Sequence, residues 1–254
     1  MVTFFYIRSM KICILTLSYL LLSSLYLHHN AQCQVTGSIN DLRRRNVSMM
    51  IHADSASIQT NLQGTRYDLS FISLNESPFF LNSQQLTGNL IINHFIFDNL
   101  HLLYDTNSDE LIYDSGLKLC KLRKEMVKQF SLFELENKKH NFVNLSFTTD
   151  DSGIQTGYFE VLYNGKSALY MKRHKELAYK LKPDMIEYYY LPDDRLYLYH
   201  KEHYHYIKTL KMLISKLNSN NEELKRFSKS KKFAKNKLIE NQLIETLSYF
   251  DSLQ

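Results

Sequence analysis

The stretch Phe159-Glu160-Val161-Leu162-Tyr163-Asn164-Gly165-Lys166-Ser167-Ala168-Leu169-Tyr170-Met171 constrains the fold more than any other. Two runs rich in β-branched and aromatic residues flank Asn-Gly, the dipeptide that best fits the two positive-φ positions of a type I′ turn. The segment therefore predicts a tight antiparallel hairpin. A second hairpin is predicted at Glu187-Tyr188-Tyr189-Tyr190-Leu191, Pro192-Asp193-Asp194, Arg195-Leu196-Tyr197-Leu198-Tyr199, where proline presets the turn. Short connections between strands force antiparallel pairing, because parallel strands need long crossovers.

The same punctuation recurs upstream. A partly alternating run, Tyr67-Asp68-Leu69-Ser70-Phe71-Ile72, reads as an early strand. Gly88 opens a β-rich stretch through Leu90-Ile91-Ile92-Asn93-His94-Phe95-Ile96-Phe97 and Leu100 to Tyr104. Asp105-Thr106-Asn107-Ser108-Asp109 is dense in turn formers, and Glu110-Leu111-Ile112-Tyr113 resumes the strand pattern. The expected fold class is α+β: an antiparallel meander or partly closed sheet, followed by two or three C-terminal helices. The period changes near Tyr206, since Tyr206, Leu210, Leu213 and Leu217 share one helical face with Ile207 and Ile214 beside them. Asn218-Ser219-Asn220-Asn221 breaks that pattern, and Glu222-Glu223 suits the first turn of a new helix. Ile239, Leu243, Leu247 and Phe250 mark a last one. These stripes are expected to cover the sheet or pack on each other.

The start of the chain has the layout of a secretory signal peptide: Lys11, the apolar residues 12–27, then His28-His29-Asn30-Ala31-Gln32-Cys33. Sixteen residues interrupted by Thr16, Ser18, Ser23 and Ser24 are short and polar for a permanent anchor, which is the competing reading. Cleavage fits after Ala31 or after Cys33. Asn30 and Gln32 stand where lipoprotein processing wants a Leu-like and a small residue, which disfavours lipidation. The expected organisation is a leader over residues 1–33, a β-rich domain over 34–200 and a basic helical segment over 201–254 packed on it. The expected location is periplasmic, extracellular or at the cell surface. If Cys33 survives cleavage it can pair with Cys120; otherwise Cys120 is a lone buried thiol. Three cysteines in all exclude a disulfide scaffold.

Tyr 18 and Phe 15 within a 44% apolar composition suffice for a packed core. Charge is uneven. From Lys201 onward eleven Lys/Arg face six Asp/Glu, while residues 34–200 carry eighteen against twenty. Lys225, Arg226, Lys229, Lys231, Lys232, Lys235 and Lys237 form a run without an acid. It reads first as a solvated helix face, and second as a surface for weak contact with anionic membrane. Nucleic acid is not an expected partner of an exported chain.

Chemistry-bearing motifs are few. Asp105, Asn107 and Asp109 match the first ligand positions of a calcium loop, but Glu110 replaces the required Gly and Gly116 the required Glu. A plain hairpin turn explains them. His200, His203 and His205 are the candidate metal ligands, with Glu202 nearby, although the His-Glu-x-x-His order is absent. Nucleophile-elbow, phosphate-loop and dinucleotide motifs are all missing, as seven glycines would suggest. No cofactor is expected.

At Leu102-Leu103-Tyr104-Asp105, Asp109-Glu110-Leu111-Ile112, Gly157 to Gly165 and Tyr170-Met171-Lys172-Arg173-His174, the chain resembles uncharacterised exported proteins of Bacteroidota-type bacteria. The resemblance implies periplasmic or surface placement and carries over no functional residue. The favoured reading is a non-enzymatic, exported binding or envelope-associated interaction protein that takes an unidentified protein or small ligand. Tyr188 to Tyr190, Tyr197 and Tyr199 are either its contact surface or part of the core. The rival is an envelope hydrolase using carboxylates or the His200/His203/His205 group.

Overall fold

The structure is a computed structural model that describes residues 51–52, 62, 64–68, 77–82, 85–134, 138–146, 154–217, 221–234 and 239–253. The expected leader (residues 1–33, with Cys33), the run 69–72, the break 218–220, Lys235 and Lys237 lie outside the described residues.

Residues with period-two apolarity form a meander. Its first half comprises β1 (Ile51–His52), β2 (Thr65–Arg66), β3 (Leu86–Ile92), β4 (Phe95–Asp105), β5 (Glu110–Asp114), β6 (Leu119–Lys121) and β7 (Val127–Phe133). Then come β8 (Lys139–Leu145), β9 (Gly157–Asn164), β10 (Ala168–Lys172), β11 (Lys175–Lys182), β12 (Met185–Pro192), β13 (Arg195–His200) and β14 (His203–Ile207). Twelve strands make one sheet in the order β14-β13-β10-β9-β8-β7-β3-β4-β5-β6-β2, with β1 alongside β4. Every pairing is antiparallel except that of β1 with β4. Strands β11 and β12 leave this sheet and pair only with each other. Three helices close the described chain: α1 (Leu210–Leu217), α2 (Asn221–Ser230) and α3 (Glu240–Ser252). The expected α+β class is what the chain adopts.

The sheet curls without closing. Three strands separate β4 from β9 in the ladder, yet the rings of Tyr104 and Tyr158 meet edge-on at 5.8 Å. Phe130 and Phe142 stack between them at 4.7 Å. Leu90, Ile92, Leu102, Leu111 and Leu132 complete this first core. Each such side chain contributes about 1.5–3 kcal/mol by burial, and a well-placed ring pair about 0.5–1.5 kcal/mol more. A second core forms where α1, α2 and α3 cover one end of the sheet. Leu213, Leu217, Leu224, Leu243, Leu247 and Phe250 pack there on Leu169, Met171, Leu196, Leu198 and Ile207. Met171 lies opposite Glu160, and Glu160 opposite Phe142, so both cores share one face of the sheet.

The β-rich stretch through 90–97 folds back at Asn93-His94, with Asn93 at φ 53°, and supplies β3 and β4. Three local readings are corrected. The hairpin at 159–171 forms, but neither Asn164 nor Gly165 has positive φ; the loop is Gly165-Lys166-Ser167. Its conformation is set from outside, because Asp251 at the end of α3 accepts the Lys166 N–H at 2.7 Å and the Tyr163 hydroxyl at 2.9 Å. A Cβ on Gly165 would run into that carboxylate, so glycine is needed for close approach rather than for its φ.

Pro192-Asp193-Asp194 is not a hairpin turn. The chain passes there from the β11–β12 pair into β13, which pairs with β10 and β14. Asp194 is held by Arg173 and by the His174 N–H, which stabilises the switch between sheets. Finally, Tyr206 and Ile207 are strand, not helix. Lys201 and Glu202, at φ 49° and 67°, make the two-residue turn that returns β14 along β13. The sheet thus runs past residue 200, and the first helix starts at Leu210.

Candidate functional site

The β11–β12 hairpin has two unlike faces, one uncharged and one mixed. In register, Leu177 faces Tyr190, Tyr179 faces Tyr188, and Leu181 faces Ile186. Cross-strand partners share a face and alternate residues keep it, so these six side chains form one uncharged apolar surface. Five of them are 44–71% exposed; only Tyr190, nearest the root, is buried. The opposite face mixes Glu176, Lys180, Lys182 and Glu187 with Met185, Tyr189 and Leu191, of which Met185 and Leu191 are also exposed. Lys182 pairs with Glu187 at 2.9 Å. The turn between the strands is at Pro183-Asp184. Water around an apolar patch of this kind is unfavourable, and patches of this extent commonly mark contact sites.

The root of the hairpin is fixed. Lys175 donates from Nζ to the carbonyls of Ser77 at 2.7 Å and Phe79 at 2.6 Å, and to Asn82 Oδ1. The Asn107 side chain donates to the Lys175 carbonyl at 2.8 Å, and His174 Nδ1 to the Thr106 carbonyl at 3.0 Å. These contacts employ the loop that looked like a partial calcium site. Asp105 Oδ1 accepts the backbone N–H groups of Asn107 and Ser108, and its Oδ2 accepts the Tyr67 hydroxyl at 2.8 Å. Asp109 takes Lys124 and Lys172 at 2.7 and 2.6 Å and the Tyr104 hydroxyl at 2.7 Å. The loop's oxygens serve the protein itself. Through Lys172 and the Tyr158 carbonyl they also seam the curled edge of β4–β5 to β9–β10. Gly157, at φ 144°, sits against Asp109, where a Cβ would collide with the carboxylate.

A buried ionic cluster lies where the two cores meet. Glu160 on β9 and His140 on β8 are 4% and 5% exposed. His140 donates from Nδ1 to Glu160 at 2.6 Å and from Nε2 to Glu134 at 3.1 Å. Arg173 donates from Nε to Glu160 at 2.6 Å, and reaches Asp194 at 2.7 Å and Glu240 of α3 at 2.9 Å. The Phe80 ring lies edge-on to His140 and beneath Arg173. The hydrogen bond to Glu160 raises the His140 pKa, against the opposing effect of burial. Burial pushes Glu160 upward, but hydrogen bonds from His140 and Arg173 outweigh it and leave its pKa lowered. The group ties sheet, hairpin root and last helix together. Both imidazole nitrogens and both Glu160 oxygens are taken, so no reactive atom of that pair is turned to a substrate.

The candidate histidines lie side by side on one face of the sheet: His203 is opposite His200 in register, and His205 keeps that face along β14. His200 is buried, hydrogen-bonded to Ser167 at 3.0 Å and set edge-on to Phe250; burial lowers its pKa. His203 is exposed, donates to the Lys201 carbonyl and stacks at 6.5 Å on His205. Among the described residues no group of three His, Cys, Asp or Glu is placed to hold a metal ion. His200, His203 and His205 are thus neighbours that form no three-ligand centre, with Nδ1 of His200 at Ser167 and Nδ1 of His203 at the Lys201 carbonyl. Cys120 is a buried free thiol.

The tyrosines separate as well: Tyr190 and Tyr197 are buried, Tyr188 is exposed, and Tyr199 is half-buried. In the basic run Lys225 pairs with Glu222, and Lys231 with Glu245. No helix of the described residues is long and apolar enough to cross a membrane.

Sequence reasoning missed β11. Leu177, Tyr179 and Leu181 alternate with charged or small residues and end at Lys182-Pro183-Asp184, which was the available signal. The ionic cluster offered less: a lone Glu160 in an apolar strand. No protein-family model, curated protein or solved structure matches the chain.

Proposed function

We propose that this chain is an exported, envelope-associated interaction protein that binds through the apolar face of its β11–β12 hairpin and performs no catalysis. The observation that carries this reading is the uncharged face of Leu177, Tyr179, Leu181, Ile186 and Tyr188, exposed on a hairpin whose root is clamped. A rigid mount lowers the ordering cost of binding, and tyrosines supply large contact area with few rotors. The leader over residues 1–33 supports placement in the periplasm or at the surface. The self-satisfied ionic groups support binding over chemistry.

A photo-crosslinking residue placed at Tyr179 tests the reading in cells producing the full chain, with Leu117, on the exposed turn after β5, as the control position. Discrete adducts from position 179 and none from 117 are expected. Equal labelling from both positions, or none from either, contradicts it.

A further inference from the structure

We propose that the occupant of the hairpin's apolar face is a second copy of this chain, packed face to face about a two-fold axis. The inference rests on the interaction reading above and names its partner. Area comes first. Five side chains exposed by 44–71% present on the order of 600 Å² per copy. Complete burial of two such faces removes up to about 1,200 Å² from water, near the roughly 1,000 Å² that a specific interface needs.

The composition of the face fits the same partner. It has three layers, Leu177/Tyr190 at the root, Tyr179/Tyr188 in the middle and Leu181/Ile186 at the tip. An antiparallel two-fold arrangement places tip over root and the tyrosine pairs around the axis, so each patch is its own complement. Aromatic enrichment with no charge in the centre is the composition of such interfaces. The hairpin's charges lie on the other face, at the turn or, for Lys175, at the root, where its ammonium is taken up by the Ser77 and Phe79 carbonyls.

A lipid surface fits less well. The residues from Lys175 to Pro192 hold three Lys against Glu176, Asp184 and Glu187, so nothing on the hairpin draws it to anionic headgroups. Its tip, Lys182-Pro183-Asp184, would bring two charges into the hydrocarbon.

Sedimentation velocity of the purified full chain over a concentration series decides the matter, alongside Tyr179→Lys/Ile186→Lys and the opposite-face variant Lys180→Ser. Circular dichroism checks that each variant folds, with Leu181→Ser as the milder substitute. The expected result is a reversible dimer in the parent and in Lys180→Ser. In the double variant the dimer dissociates at least tenfold more readily, about 1.4 kcal/mol. A monomer at every concentration, or a dimer indifferent to the hairpin variants, overturns the proposal. Flotation with phosphatidylcholine/phosphatidylserine vesicles separates the two readings. A monomer that floats through Tyr179 and Ile186 refutes the second copy and leaves the hairpin a contact surface. Loss of neither self-association nor vesicle binding in the variants removes the hairpin reading itself.

Discussion

The curled body and the hairpin that leaves it spend the same residue types in opposite ways. In the body Tyr104, Tyr158 and Tyr170 are almost fully buried among rings and aliphatic side chains. In the hairpin Tyr179 and Tyr188 sit beside Leu181 and Ile186 at the surface. Polar groups follow the reverse rule. Glu160, His140 and Arg173 are taken into the body and joined to one another, whereas the hairpin keeps Lys182 and Glu187 at its outer face. The difference bears on where stability resides. Buried apolar area and closed ionic groups hold the sheet, while the exposed face of the hairpin, the proposed contact surface, is expected to contribute little to folding.

The largest test of this division is Glu160→Ala. It strands the buried His140 and Arg173 without their shared carboxylate, and a loss of about 3–5 kcal/mol in urea unfolding at neutral pH is expected. A loss no larger than that of a surface substitution would show that the cluster does not brace the body.

Next is pH. The folded-state pKa of His140 is raised above its ordinary 6.5, so the stabilisation it gives is complete below about 6.5 and is lost as pH rises through the raised value. Glu160 has the opposite sign. Its folded pKa lies below 4.5, so its contribution is present above about 4.5 and is lost as pH falls through the lowered value. Unfolding free energy should therefore decline on both sides. His140→Gln should remove the alkaline decline; if that decline survives in the variant, His140 is not its source.

A smaller effect is expected from Asp251→Ala. The Lys166 N–H and the Tyr163 hydroxyl would lose their shared acceptor, at a cost of about 1–2 kcal/mol read by thermal melting. In the parent, partial burial first and the bond to Asp251 second push the Tyr163 pKa up to about 12. Spectroscopic titration should see that phenol return toward 10 in the variant. No change in the titration would mean that the loop is set by its own residues.

The same contrast explains what could be read from the sequence. Strand alternation and turn residues are local, so the meander, the hairpin at 159–171 and the helical stripe at Leu210, Leu213 and Leu217 were legible. Long-range constraints were not. Asp251 reshapes the Asn164-Gly165 turn from the far end of the chain, and Arg173 with His174 converts Pro192-Asp193-Asp194 into a passage between sheets. Tyr206 lies four residues before Leu210, a helical spacing, yet its pairing with Tyr197 decides for strand. The ionic cluster draws Glu134, His140, Glu160, Arg173, Asp194 and Glu240 from six places, and no spacing announces it. The three histidines are neighbours both in sequence and in register, yet their ring nitrogens bond to different groups, Ser167 for His200 and the Lys201 carbonyl for His203.

The unfolding free energy of Tyr179→Ser/Leu181→Ser/Ile186→Ser, measured where parent and variant are both monomeric, tests the central division most directly. The account predicts a value within about 1 kcal/mol of the parent, because the three side chains are 50–71% exposed. A loss of about 3 kcal/mol or more, the range for truncating packed core residues, would show that the hairpin face belongs to the core and contradict the account.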